Sequence, residues 1–303
     1  MSDSSVLAAC VRDALGATYE RPIVVDHGDR VAVLDGRPLA LARAAVTEAM
    51  GPDGAARVEA LDIANLAWHA VPADGLRLWR QHARSGADGE LVTEVEAGDP
   101  PLQVVTVDDG WALVRLLDGA QGWVAAQDVA DSAAVPEPNP KTLDVGRVDL
   151  DAFVAAATEL LDVPYVWGGT TRTGVDCSGI VQRCAWRAGG CWLPRHSRAL
   201  LRVGARVSPA AVRRGDVLIL QRDPSTIEAE RQAQLAALAR EEARTGRVPA
   251  HGPAVHPMHV AIACSADTVL HASRDAMRVV TEPLAGLRER YRVLGVRRLG
   301  PAA

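Results

Sequence analysis

The sequence predicts an α+β protein built from helices and antiparallel strands, and three stretches carry that prediction. The first is Asp176-Cys177-Ser178-Gly179-Ile180-Val181, reached through Pro164-Tyr165-Val166-Trp167-Gly168-Gly169. After this Gly-rich turn, Ile180, Val181, Cys184, Ala185 and Ala188 recur at helical spacing until Gly189-Gly190 stops the pattern. The second is a pair of strand-like runs, Met258-His259-Val260-Ala261-Ile262-Ala263 and Val269-Leu270-His271-Ala272, joined by the turn Ser265-Ala266-Asp267 into an antiparallel hairpin. The third is a meander of short strands between residues 86 and 132.

Taken from the start, residues 1–84 read as an N-terminal α/β region without a functional motif. Residues 22–25 and 31–34 look like short strands; residues 38–50 and 55–70 look helical, separated by the turn Gly51-Pro52-Asp53-Gly54. The region is either a further small barrel of the kind expected next for residues 85–133 or a helical extension, and His27, His69 and His82 take structural or solvent-facing roles. Within residues 85–133, Leu102-Gln103-Val104-Val105-Thr106-Val107 alternates and Asp108-Asp109-Gly110 turns. Trp111-Ala112-Leu113-Val114-Arg115-Leu116 alternates again, Asp118-Gly119 turns, and Gly122-Trp123-Val124 closes a third strand. A meander of this spacing protects its edges by closing into a small barrel. Ala134-Val135-Pro136-Glu137-Pro138-Asn139-Pro140 marks residues 134–147 as an extended linker.

Residues 148–303 form the last module. It opens with a helix over 148–161, and Gly215-Asp216 turns into the buried strand Val217-Leu218-Ile219-Leu220. Residues 221–257 separate that strand from His259. Their first part, 225–244, is strongly helical with Ile227, Leu235 and Leu238 as a thin apolar stripe, and Pro249, Pro253 and Pro257 make the return. Such an insertion serves as a lid, as a contact in a homo-oligomer, or as a solvated surface helix; His251 and His256 within it face solvent.

The chemistry centres on Cys177. Asp176 is a good N-cap, which puts Cys177 where unpaired amides and the positive end of the helix dipole stabilise a thiolate. Cys10, Cys184, Cys191 and Cys264 read as packing residues. Cys177, Cys184 and Cys191 stand seven apart, wider than zinc ligation prefers, so no metal and no cofactor is expected. A thiol nucleophile needs a base and a group that orients the base. On one face of the predicted hairpin, His271 can fix the tautomer and ring orientation of His259.

Taken together, Pro-Tyr-x-Trp-Gly-Gly, Asp-Cys-Ser-Gly, Leu193-Pro194-Arg195-x-Ser197, Arg214-Gly215-Asp216 before a strand, and the two histidines resemble the NlpC/P60 family of cysteine peptidases. The resemblance covers about residues 148 to 299. It implies a papain-like α+β core, with Cys177 as nucleophile, His259 as general base and His271 as the third, orienting residue. It further implies that the Tyr165 hydroxyl joins the Cys177 amide in holding the oxyanion, and that Trp167, Asp176, Ser178 and Ser197 contact substrate. His196 stands where relatives often carry Asp or Thr, adding a titratable group near the cleft. The implied reaction is hydrolysis of the γ-D-glutamyl to diamino-acid bond in murein-derived peptides, in cell-wall peptide recycling. Residues 85–133 in turn resemble a bacterial SH3 domain, whose counterparts in recycling-type relatives contact the free amine of a terminal L-Ala through an acidic residue and a Tyr. Glu94 is the acidic match; the Tyr position falls on Ala120 or Gln121.

Length and composition bound the rest. A chain of 303 residues suggests two or three domains, and 48% hydrophobic residues supply folded cores. The net charge of -5 comes without a polybasic block, so neither nucleic acid nor an anionic membrane is an expected partner. Arg12, Asp13 and Glu20 interrupt the N-terminal stretch before any apolar core, no span is apolar enough to cross a membrane, and five unpatterned cysteines fit a reducing compartment. These features predict a cytoplasmic location. Two alternatives use the same residues differently: an amidase or acyltransferase acting on another acyl substrate, and a wall-peptide binding module that does not turn over.

Overall fold

Met1–Ala67 and Trp68–Ala303 are two separate compact units. The computed structural model describes residues 3–16, 24–26, 29–34, 37–80, 90–223 and 257–301, together with Ile227 and Gln232. The expectations for His27, His82, His251, His256 and the helix over 225–244, with its oligomer contact, lie outside the described residues.

In the first unit, α1 (Asp3–Gly16), β1 (Val24–Asp26), β2 (Val31–Leu34), α2 (Arg37–Ala55) and β3 (Val58–Leu61) follow one another. β1 runs antiparallel to β2, while β3 returns through α2 to lie parallel to it. Leu7, Val11 and Leu15 of α1 pack on Ala42 and Val46 of α2 and on Val31, Val33 and Val58. The expected helix over 55–70 is therefore corrected. α2 continues past a kink at Gly51, where φ is 78°, and the chain then enters the sheet because Val58 fills the core and β2 needs a partner along its edge. The unit is a small α/β layer, not a barrel.

The second unit begins with β4 (Trp68–His69), β5 (Leu76–Trp79), β6 (Leu91–Val95), β7 (Leu102–Asp108), β8 (Trp111–Arg115), β9 (Gln121–Ala125), the short α3 (Ala126–Ala130) and β10 (Ala134–Val135). They form one antiparallel sheet in the order β10-β4-β7-β8-β9-β5-β6. Asp109 and Gly110 both adopt positive φ, 44° and 77°, the two-residue hairpin geometry whose twist matches its strands. The sheet takes strands from both sides of the 85–133 range: Leu76 and Leu78 are buried with Arg77 exposed between them, and Ala134 pairs with His69. Residues 134–147 are accordingly not a free linker. Beyond β10 they coil into two 3-10 turns capped by Asn139 and Asp144, and the Thr142 carbonyl accepts from the Trp192 amide at 2.7 Å.

The remaining elements are α4 (Leu150–Thr158), β11 (Thr170–Thr171), β12 (Gly174–Val175), α5 (Cys177–Gly189), β13 (Ala205–Val207), β14 (Val217–Arg222), β15 (Met258–Ala263), β16 (Thr268–Ser273), β17 (Arg278–Pro283), α6 (Leu284–Arg290) and β18 (Tyr291–Arg298). The strands from β13 onward build an antiparallel sheet ordered β13-β18-β14-β15-β16-β17. Alternation splits its side chains between two layers. Ile219, Val260, Ile262, Leu270 and Val279 join Phe153 of α4 and Ile180 of α5 in one core; Leu218, Leu220, Ala261 and Val269 join Leu284 and Leu287 of α6 in another.

The two sheets of this unit share buried contacts. Trp192, after α5, sits 2% exposed in the core of the seven-stranded sheet with Leu76, Leu102 and Val114. Arg183 of α5 reaches both oxygens of Asp99 at 2.5 and 2.9 Å, and Arg195 Nε donates to Thr93 Oγ1 at 2.9 Å. At Gly168, φ 80°, any Cβ would strike the Leu91 backbone, so glycine lets the loop before Cys177 press against β6.

Candidate active site

Cys177 occupies the first position of α5, where the helix cap is built as the residue types require. Asp176 Oδ1 accepts from the Gly179 amide at 2.7 Å, and Oδ2 accepts from the Gly168 amide at 2.9 Å. Gly179 is needed because a Cβ there would collide with the Gly169 carbonyl, so the first turn of α5 closes directly onto the Gly-rich loop. Arg195 binds Asp176 through two nitrogens, at 2.9 and 2.5 Å, and donates to Ser178 Oγ at 3.0 Å. Asp118, from the β8–β9 turn, holds Arg195 and α5 in place by accepting from the Arg195 amide at 2.8 Å and from Gln182 Nε2 at 2.9 Å.

The sulfur itself is 3.8 Å from Ser197 Oγ, and the Ser197 hydroxyl and the backbone amide of Val260, the residue next to His259 in β15, both favour its thiolate form. Burial, then the Asp176 carboxylate, push the thiol up to about 11. Desolvation of the charged form thus works against the thiolate that the helix N-terminus favours.

The hairpin brings the two histidines together as the sequence indicates. His259 Nε2 and His271 Nδ1 are 2.8 Å apart, with the rings edge to face. His271 Nε2 then lies 2.6 Å from Glu282 Oε1, and Arg290 Nη2 donates to both Glu282 oxygens at 2.7 and 2.9 Å. His259 is 5% exposed; burial first, then His271, Arg222 and Arg290, hold its pKa well below 6.5. His271 is lowered as well, chiefly by burial, with Glu282 opposing. Tyr291 stacks on the His259 ring at 5.1 Å. Among the described residues, the sulfur's hydrogen-bond partner is Ser197, and the His259 ring is bonded to His271.

Tyr165 packs at the edge of the same core, and burial with the neighbouring Cys177 raises its pKa, keeping it a hydroxyl. Trp167, His196 and Ser197 are half-buried on the loops flanking Cys177. Asp176 and Ser178 differ from the substrate-contacting role that the resemblance implies. Both are 5% exposed, and their oxygens are committed to protein donors, so they seat the nucleophile. Glu94 likewise is not an open amine acceptor. It is 6% exposed, paired with Arg77 at 2.9 Å and within 3.4 Å of the Thr170 amide, and it borders a cleft of about 600 Å³ lined also by Trp79, Trp111 and Glu96. Sequence reasoning missed Glu282, Arg290 and Tyr291. Glu282 stands just before α6, Arg290 ends it and Tyr291 follows it, on the connection from the edge strand β17 to β18, with no motif around them. Among the described residues, no group of three or more His, Cys, Asp or Glu is arranged to hold a metal ion.

Residues 162–233 match the model of the NlpC/P60 family. The match includes Cys177 and ends before the two histidines. Over 81 residues the chain is 40% identical to a gamma-DL-glutamyl hydrolase of Bacillus subtilis, covering 26% of this chain and 18% of that protein. Over 59 residues it is 44% identical to the murein DD-endopeptidase and LD-carboxypeptidase MepS of Escherichia coli, covering 20% and 31%. The chain thus spans under a third of the length of either curated relative. Among solved structures, an NlpC/P60 family protein from Bacillus cereus is 21% identical with a TM-score of 0.38, covering 79% of this chain and 65% of that one.

Proposed function

We propose that this chain is a cysteine peptidase that hydrolyses the γ-D-glutamyl to diamino-acid bond of murein-derived peptides, as in the recycling of wall fragments. One observation carries the reading: a buried thiol heads a capped helix that shares its core with β15, and His259 of β15 is a buried imidazole bonded to a second histidine. The names of the Bacillus subtilis and Escherichia coli relatives, one a γ-glutamyl hydrolase and the other a murein peptidase, support the substrate class.

The resting pair is neutral, because burial raises the thiol and lowers the imidazole. His259 then acts as a general base: it takes the Cys177 proton on the ring nitrogen not bonded to His271 as sulfur attacks the scissile carbonyl. The oxyanion forms beside the Cys177 amide, which helix geometry leaves without an intrahelical carbonyl, and the protonated Tyr165 hydroxyl is a second donor. The amine leaves with the proton from His259. Water then gives its proton to His259, attacks the thioester, and the departing sulfur recovers that proton.

Incubation with L-Ala-γ-D-Glu-diamino acid peptide tests this. Release of the L-Ala-D-Glu dipeptide is expected, with none from Cys177→Ala. Tight binding of the peptide by the unmodified protein without turnover would make the chain a wall-peptide binding module instead.

A further inference from the structure

His259 and His271 belong to a closed ring of contacts that continues through groups with no assigned role. Glu282 lies diagonally across β16 and β17 from His271, since His271 pairs with Val280 and Glu282 with Val269. Its carboxylate is gripped at both oxygens by Arg290. Arg290 Nε faces Asp275 Oδ2 at 3.8 Å, and Asp275 accepts from Arg222 Nη2 at 2.7 and 2.8 Å. The Arg222 guanidinium lies 5.2 Å over the Tyr291 ring, and Tyr291 stacks on His259, which closes the ring.

A carboxylate bound at both oxygens by a guanidinium can only accept from a neighbouring imidazole. His271 must then carry its hydrogen on Nε2, 2.6 Å from Glu282 Oε1, which leaves Nδ1 as a lone pair. That lone pair faces His259 Nε2 at 2.8 Å, so His259 must carry its hydrogen there, and Nδ1 of His259 is left open. We infer that Glu282, clamped by Arg290, is a positioning residue that sets the tautomers of both histidines, so that His259 offers Nδ1 as the proton acceptor for Cys177. When the thiol proton arrives on Nδ1, the imidazolium donates from Nε2 to His271, which donates to Glu282; no further proton moves. The acceptor role for Nδ1 rests on the peptidase reading, whereas the tautomers do not.

Glu282→Leu separates these possibilities. Oε1 of Glu282 accepts from both His271 Nε2 and Arg290 Nη2, so a Gln carbonyl in its place can serve both donors, whereas Leu leaves His271 Nε2 without that acceptor and no longer fixes either tautomer. In the full chain labelled with ¹⁵N-histidine at neutral pH, both wild-type rings should show an unprotonated Nδ1 and a protonated Nε2, Glu282→Gln should keep that pattern, and Glu282→Leu should give mixed tautomers in both rings. With γ-D-glutamyl peptide, kcat of Glu282→Leu should fall roughly 10²-fold with KM changed less than about twofold, and Glu282→Gln should keep most of kcat. Wild-type rings protonated on Nδ1, a Glu282→Leu protein with unchanged tautomers or kcat, or a Glu282→Gln protein that keeps the tautomers yet loses as much kcat as Glu282→Leu, overturns the inference. Should Glu282→Leu not fold, the wild-type spectrum and Glu282→Gln decide. If the wild-type tautomers are as assigned and no peptide is cleaved, the peptidase reading fails and the tautomer relay stands.

Discussion

The two sides of the site use the same chemistry, a carboxylate clamped by a guanidinium, in opposite settings. On the cysteine side, Arg195 and Asp176 are 3% and 7% exposed at the side chain and lie beneath the nucleophile, with Thr93 and Asp118 of the seven-stranded sheet as neighbours. On the histidine side, Arg290 and Glu282 are 39% and 19% exposed and act at one remove from the base. A buried ion pair becomes a liability when one partner is removed, because the other charge is left without water; a half-exposed pair is rescued by solvent. The cysteine side is therefore a foundation, and the histidine side a steering arm.

The largest expected effect breaks the comparison if it does not appear. Arg195→Met strands the Asp176 carboxylate and should lower unfolding stability by about 3–5 kcal/mol. Arg290→Met should cost under about 1 kcal/mol and act on turnover instead. Urea denaturation of the two variants checks this, and equal losses would mean that both pairs are structural.

Acid sharpens the contrast from the histidine side. His259 and His271 have folded pKa values below 6.5 because burial penalises the imidazolium, while the unfolded chain titrates near 6.5. Between those values the unfolded state binds more protons, so stability is full above about pH 6.5 and is lost as pH falls through the lowered values. kcat/KM should hold its plateau at neutral pH, fall on an acid limb below 6.5 as His259 protonates, and fall again only near the Cys177 value of about 11. A pH-rate profile measured alongside thermal midpoints checks both limbs. An alkaline limb near pH 7 would replace the neutral pair by a resting thiolate-imidazolium pair.

The cysteine side was the more legible one, for a physical reason. An N-cap, a Gly needed for close approach and a helical apolar stripe are local in sequence, so Asp176, Cys177, Gly179 and Ile180 declare themselves within a few positions. The histidine hairpin was legible for the same reason, as alternation around a short turn. What escaped was set by long-range pairing. Glu282 reads as one polar residue on an alternating strand, and only the β16–β17 register brings it to His271. Residues 55–70 read as helical because alanine is common there; the parallel edge of β2 claimed Val58 for a strand. Leu76 and Leu78 belong to the second sheet, yet their strand is only 4 residues long and offers little period to detect.

The smallest expected effect concerns Glu94, which lies on the cysteine side but does not share its foundation role. Its carboxylate is buried, yet its charged partner Arg77 is 64% exposed, so water can replace the pair. Glu94→Gln keeps an acceptor for the Thr170 amide and should lower stability by less than about 1 kcal/mol. An amine arriving from a substrate would meet a carboxylate already paired with Arg77, so the variant should cleave free-amine and N-acetylated peptides in nearly the wild-type ratio. Rates on the two peptides for both proteins check this. A loss of tenfold or more confined to the free-amine peptide would show that the pair opens to admit substrate, and would move Glu94 from the scaffold into the binding surface.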